Sequence, residues 1–205
     1  MALGGWKFHI RSSETDESQL SGEAPGTYVL RLAEGKARAC AATALADQTL
    51  LAADTAVVDG KDILGKPKDM AEAATMLRRL RGHSHQVCTG IAVLRVSDGT
   101  LVTDLCVTDV PMRDYSDDEV AAYVATGDPL DKAGAYAIQH LTFHPVEGLS
   151  GCYASVMGLP LCHLTRALRQ LDIAPRTDIS KECQLALEYI CPISSAVLRG
   201  KMVGR

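Results

Sequence analysis

The sequence predicts an α/β fold, on three observations. Residues 28–44 and 69–80 repeat apolar side chains at helical spacing. Residues 50–58 and 87–94 are near-continuous apolar runs bounded by turn residues, as buried strands are. Residues 101–112 alternate with the two-residue period of a strand. At 205 residues the chain can bury a full core, as one large domain or two small lobes.

Composition narrows the class. Apolar residues make up 47% and charged residues 22%, ordinary for a soluble globular protein. The formal net charge of −4 offers no basic surface for nucleic acid. No apolar run approaches the ~18 residues of a membrane span, and the N-terminus lacks the charged-then-apolar pattern of a secretory signal. The seven cysteines form no CxxC, and the spacing of Cys183 and Cys191 fits no common zinc pattern. They are expected as reduced, partly buried thiols of a cytoplasmic protein.

In chain order, Trp6, Phe8 and Ile10 alternate and read as a short strand, followed by the acidic loop Ser13-Glu14-Thr15-Asp16-Glu17. Residues 23–26 form a turn. A helix then runs over 28–44 with Val29, Leu32, Ala33, Ala37, Cys40 and Ala41 on one face. Leu50 and its neighbours form an apolar run that ends in Asp54. A second run, Ala56–Val58, follows, which predicts two strands around that acid. Asp69 reads as the N-cap of a helix to Leu80 with Met70, Ala73, Ala74, Leu77 and Leu80 inward and Gly82 as its stop. Strand 87–94 turns at Asp98-Gly99 into strand 101–112. On that return strand the face bearing Leu101, Leu105 and Val107 is expected to be the core side.

Ser116 and Glu119 form a capping box for a helix with Val120, Tyr123 and Val124 inward, ending at Gly127. The small residues around Gly134 allow a close backbone approach. Residues 140–146 read as a strand, and Pro160 sits in the first turn of a helix to Leu171. His83 and His85 are expected in surface or hydrogen-bonding roles. The expected organisation is a domain over 1–174 and an extension over 175–205, with a short helix near 181–190 and a frayed basic tail from Arg199 to Arg205.

The candidate site residues are Asp54, Glu17, Lys36 and Lys66, with Gln139 as a polar reader. An acid delivered by a buried strand, with a lysine on the loop Gly65-Lys66-Pro67, suits chemistry on a phosphate. Cleaving a phosphoanhydride needs a divalent ion to offset charge, cationic side chains for the transition state, and a base to align water. Carboxylates suit magnesium, which takes only one or two protein oxygens.

Taken together and in order, these pieces resemble the Maf family of nucleoside triphosphate pyrophosphatases. The resemblance is carried by Thr15-Asp16-Glu17-Ser18, by Tyr28 with Leu32-Ala33-Glu34-Gly35-Lys36-Ala37, by Ala53-Asp54-Thr55 and by Gly65-Lys66-Pro67. It continues through Leu80-Arg81-Gly82 with His85, Val87 and Thr89-Gly90, through Asp131-Lys132-Ala133-Gly134-Ala135-Tyr136-Ala137-Ile138-Gln139, and through Gly158-Leu159-Pro160-Leu161. It covers residues 3–171.

The resemblance implies an elongated α/β structure with a mixed, twisted sheet and a cleft between two lobes. It implies hydrolysis of dTTP and UTP to the monophosphate and pyrophosphate, extending to non-standard nucleotides, with the family's older association with cell-division arrest. Asp54 would be the proton acceptor or a metal ligand, and Glu17 would join it around a divalent cation, Mg2+ or Mn2+. Lys36 and Lys66 would hold phosphates, and Thr55 and Gln139 match positions used for substrate choice. The expected partner is a nucleoside triphosphate, with a homodimer as the assembly; no nucleic acid or membrane is expected. One departure stands out. Family members begin with a strand and a Ser-x-Ser-Pro-Arg-Arg loop, then a helix, whereas Met1-Ala2-Leu3-Gly4-Gly5 matches the end of that helix. The expectation is an N-terminally truncated domain, with a sheet short of one strand and a site short of two arginines. The alternatives are a weakened nucleotide-binding or regulatory protein and a pyrophosphatase of purine, 7-methyl-GTP-type, specificity.

Overall fold

A computed structural model of the chain describes residues 1–203. A 3-10 turn at Ala2–Gly4 stands where the end of a helix was expected, and residues 6–24 carry no regular element. Then follow α1 (Pro25–Ala41), β1 (Thr49–Asp59), β2 (Asp62–Leu64), α2 (Met70–Leu80), β3 (Ser84–Arg95), β4 (Leu101–Pro111) and α3 (Asp117–Ala125). After 3-10 turns at Asp128–Asp131 and Ala133–Ala135 come α4 (Tyr153–Val156), α5 (Leu161–Arg169), α6 (Ile179–Leu187) and α7 (Ser194–Leu198).

The α/β class holds. The four strands lie in the order β2-β1-β3-β4, and every pairing among the described residues is antiparallel. β2 pairs only with residues 57–59 of β1, so the Asp54 stretch lies at the rim of the sheet. β3 is the central strand, buried along nearly its whole length, which explains its continuous apolar run. α1 covers one face with Val29, Ala33 and Ala37 against Ala56, Val58, Cys88, Ala92 and Leu94. The other face packs on α2 and α3 near one end and on α5 and α6 near the other.

Several expectations are corrected. Asp54 does not end a strand: β1 runs through it, paired without interruption with β3 from Thr49 to Val58. Ladder hydrogen bonds do not depend on side-chain polarity, so one acid does not split the element. Residues 6–10 and 140–146 are not strands, because neither meets a partner beyond the single bridge of Met112 to Val146; Ile10 is 89% exposed. Met70 lies outside the α2 stripe and is half exposed. α1 begins at Pro25, whose fixed φ suits a first turn, rather than at Tyr28.

On β4 the more deeply buried face is that of Asp104, Cys106, Thr108 and Val110, not that of Leu101, Leu105 and Val107. Arg166 of α5 closes on Asp104 with two bonds of 2.7 and 2.8 Å, which lets a carboxylate sit inside. Residues 175–203 hold α7 as well as α6, and α6 starts at Ile179 behind an Asp178 cap. The tail is held as far as Lys201, whose carbonyl accepts from Arg166 at 2.6 Å. The last two residues of the expected frayed tail, Gly204 and Arg205, lie outside the described residues. No helix among the described residues is long and apolar enough to cross a membrane.

Candidate active site

α1 carries the site because it lies unusually close to the sheet. Gly90 of β3, directly opposite Asp54, faces the α1 backbone. A Cβ there would fall 2.7 Å from the Val29 carbonyl, a distance no real side chain tolerates. Small residues continue the contact at Ala33 and Ala37. Lys36 lies two turns after Val29, at the edge of the same face, and reaches the sheet.

The Lys36 Nζ atom lies 2.6 Å from Asp54 Oδ1 and 2.7 Å from Glu17 Oε1. The Asp54 side chain is 12% exposed and that of Glu17 58%. Burial pushes the Asp54 carboxyl above the ordinary carboxylate range. Lys36 and, more weakly, the Lys66 charge pull it back, and Glu17 adds to the rise. Burial alone would lower the Lys36 ammonium, but its bonds to Asp54 and Glu17 outweigh that and leave it raised. The lysine is therefore a fixed cation, and Asp54 is a stronger base than a solvated aspartate.

Glu17 reaches this point although its loop has no regular structure. Tyr28 of α1 donates its hydroxyl to the Glu17 carbonyl at 2.8 Å, and Arg31 donates to the Ser18 carbonyl at 3.0 Å. Arg31 also grips Glu23 through two bonds of 2.6 and 2.7 Å. Sequence reasoning missed both anchors. Their signal was an aromatic and an arginine three residues apart on the helix that also carries Lys36.

Lys66 is exposed on the loop after β2. That loop is fixed by the Gly134 N–H, which donates to the Gly65 carbonyl at 3.0 Å. Gly134 has φ +68°, and a Cβ at that position would stand only 2.9 Å from the Val57 side chain, so the expected close approach is present. Thr55 points to the opposite face of the sheet from Asp54. Thr89 gives its proton to the Ser155 carbonyl at 2.8 Å, so Thr55 donates to Thr89 at 2.9 Å. Gln139 is exposed, and the run before it, Ala135, Tyr136 and Ile138, packs with Val57 on the Thr55 face. The structure thus joins Glu17, Lys36 and Asp54 and puts Lys66 within electrostatic reach, while Thr55 and Gln139 belong to the other face.

Residues 1–171 match the family described as Maf-like protein. The chain belongs to the Maf family. The dTTP/UTP pyrophosphatase of Geobacter sulfurreducens is 45% identical over 172 residues, 83% of this chain and 89% of that protein. The dTTP/UTP pyrophosphatase of Methylobacillus flagellatus is 49% identical over 172 residues, 83% of this chain and 85% of its own. All six candidate residues lie within the Maf match, whereas α6 and α7 lie beyond it.

The donor set of this Maf-family chain suits a hard divalent cation. Asp54 and Glu17 supply carboxylate oxygens to one point, already occupied by a positive charge from Lys36. Two carboxylates are what magnesium takes from protein when a polyphosphate supplies further oxygens. No cluster of three or more His, Cys, Asp or Glu side chains able to hold a metal occurs among the described residues. The histidines serve elsewhere. His83 bonds Asp59 at 3.0 Å on the surface, and buried His85 bonds the Tyr136 hydroxyl at 2.9 Å.

Proposed function

We propose that this chain hydrolyses nucleoside triphosphates at the α–β anhydride, releasing the monophosphate and pyrophosphate, with dTTP and UTP as substrates. The observation that carries the proposal is the meeting of Lys36 with Asp54 and Glu17 at 2.6 and 2.7 Å. The names of its relatives support the same reading.

Asp54 takes the proton of the attacking water. The oxygen of that water bonds to phosphorus as the bridging P–O bond breaks and pyrophosphate leaves. Burial of Asp54 raises its basicity above that of a solvated aspartate, in the direction a general base requires. Lys36 transfers its ammonium from the carboxylates to the phosphate oxygens as substrate enters, and Lys66 adds charge from the neighbouring loop. Glu17 and Asp54 would hold a divalent cation, Mg2+ or Mn2+, which supplies charge neutralisation on the triphosphate. Gln139 reads the base: its amide offers both a donor and an acceptor, as a pyrimidine's carbonyl and N–H require. Thr55, held by Thr89, lies on the sheet face against which the segment before Gln139 packs. Seven free thiols fit the reducing cytoplasm.

The test is pyrophosphate release from dTTP, UTP and a purine panel with magnesium, comparing the native chain with Asp54→Asn. Turnover of the pyrimidine triphosphates that is lost in the variant is the expected result. Equal rates in the two proteins overturn the role of Asp54. Binding of dTTP without turnover at any metal concentration makes the chain a nucleotide sensor instead, and preference for purines moves the base-reading assignment away from Gln139.

A further inference from the structure

We propose that Cys191 and Cys152 form a thiol–disulfide exchange site that takes small disulfides of the oxidised-glutathione class and closes into an intramolecular disulfide. Five of the seven cysteines gather at one end of the sheet, far along the chain from the phosphate-binding residues. Cys106 comes from β4, Cys152 immediately precedes α4, Cys162 lies in α5, Cys183 in α6, and Cys191 in the link between α6 and α7. Cys152, Cys162, Cys183 and Cys191 line one narrow cleft with Tyr189. Cys152 and Cys191 share that cleft, and Cys106 packs against Cys152 from the buried side.

The chain segments that carry Cys152 and Cys191 are tied together by hydrogen bonds. The Tyr189 hydroxyl accepts from the Gly151 N–H at 3.2 Å and lies 3.0 Å from the Gly151 carbonyl. The Gln184 side chain accepts from the Cys191 N–H at 2.9 Å. As a thiol, Cys191 donates to the Gly151 carbonyl at 3.8 Å, one residue from Cys152. The chain just before one sulfur is thus pinned to the chain around the other.

The environments of the two sulfurs differ in the sense exchange requires. The Cys152 S–H stabilises a Cys191 thiolate, and the Ile193 and Ser194 N–H groups add to it, so the Cys191 thiol is lowered despite burial. Cys152 is raised by its bonds to Cys106 and Cys191 and stays protonated. Cys106 is lowered too, but it is fully buried and a small disulfide cannot reach it, whereas Cys191 is half-buried. Cys191 is therefore the attacking sulfur and Cys152 the resolving one.

The exchange balances. The Cys191 thiolate attacks one sulfur of glutathione disulfide, the S–S bond breaks, and a glutathione thiolate leaves and is protonated. Cys152 then attacks the Cys191 sulfur of the mixed disulfide, its proton passing to the second departing glutathione. Two protein thiols are oxidised and one disulfide is reduced to two thiols. Cys191 lies beyond the Maf-matched residues and Cys152 within them, so the link would staple the extension to the family domain.

The test treats the full chain with oxidised glutathione, quenches it with an alkylating reagent, and reads intact mass and peptide map. The expected result is loss of two hydrogens with a disulfide joining the Cys152 and Cys191 peptides. Cys152→Ser should keep one glutathionyl group on Cys191, and Cys191→Ser should give neither product. A Cys191 that stays free, a glutathionyl group that persists on it in the unsubstituted protein, or a bridge from Cys152 to Cys106 overturns the proposal. Mapping of the unsubstituted protein decides even where a variant misfolds.

Discussion

Lys36 Nζ stands 2.6 Å from Asp54 Oδ1 and holds Glu17 with the same ammonium. Replacing Lys36 with Met removes the charge that pulls the Asp54 carboxyl down, so the Asp54 pKa should rise further above the carboxylate range. The acid limb of the rate–pH profile should move to higher pH. The rate at the optimum should fall about 10²–10³-fold, the usual loss for one positioned charge donor. Steady-state pyrophosphate release across pH checks both; an unmoved acid limb would mean that Asp54 does not feel Lys36.

Asp54→Asn should lower the rate about 10²–10⁴-fold, the range for loss of a general base, and should abolish the acid limb in whatever activity remains. In the native protein the rate should rise with pH through an apparent pKa above that of a solvated aspartate, because burial favours the neutral acid. An acid limb at the ordinary carboxylate value, measured as kcat/KM on dTTP, would contradict the buried-base assignment.

His85 gives a stability prediction. Burial, then the neighbouring His83, lowers its pKa from 6.5 to about 4. The unfolded chain therefore binds a proton that the folded chain refuses between those values. The contribution of His85 is fully present above pH 6.5 and is lost as pH falls toward 4, a total of about 3 kcal/mol. His85→Gln, which keeps a partner for Tyr136, should flatten that part of the stability–pH curve in urea melts followed by circular dichroism.

Arg166→Met should destabilise by about 3–5 kcal/mol, because it strips a paired charge from the buried Asp104 carboxylate. The double change Arg166→Met with Asp104→Leu should recover much of that loss, since an apolar pair of similar volume suits the same space. A thermal melt of both variants tests the pair; equal Tm values for the single and double changes would deny the coupling.

Local chemistry was legible in the sequence. The Ser116–Glu119 capping box and the Asp69 cap are present as read, because their partners lie three residues away. Helix stripes were legible for the same reason. What depends on distant partners was not. The alternation of Trp6, Phe8 and Ile10 looks like a strand, but a strand exists only when another pairs with it. The polar side chain of Asp54 looks like an end, but β3 pairs straight past it. The buried face of β4 was misjudged because Asp104 counts as polar until Arg166, 62 residues later, neutralises it. Of the candidate site, the residue types were readable and so was their family resemblance. The anchoring of Glu17 by Tyr28 and Arg31 was not, since nothing in an acidic loop segment announces which helix will hold it.

The bare backbone of Gly90 sets the calibre of the whole site. The gap between helix and sheet is as narrow as two main chains permit, and a lysine has a fixed length, so Lys36 meets its acids only at that spacing. Growth of a single methyl group at position 90 would lift the helix like a shim under a hinge, and the cation would part from the acid with every residue of the triad still in place.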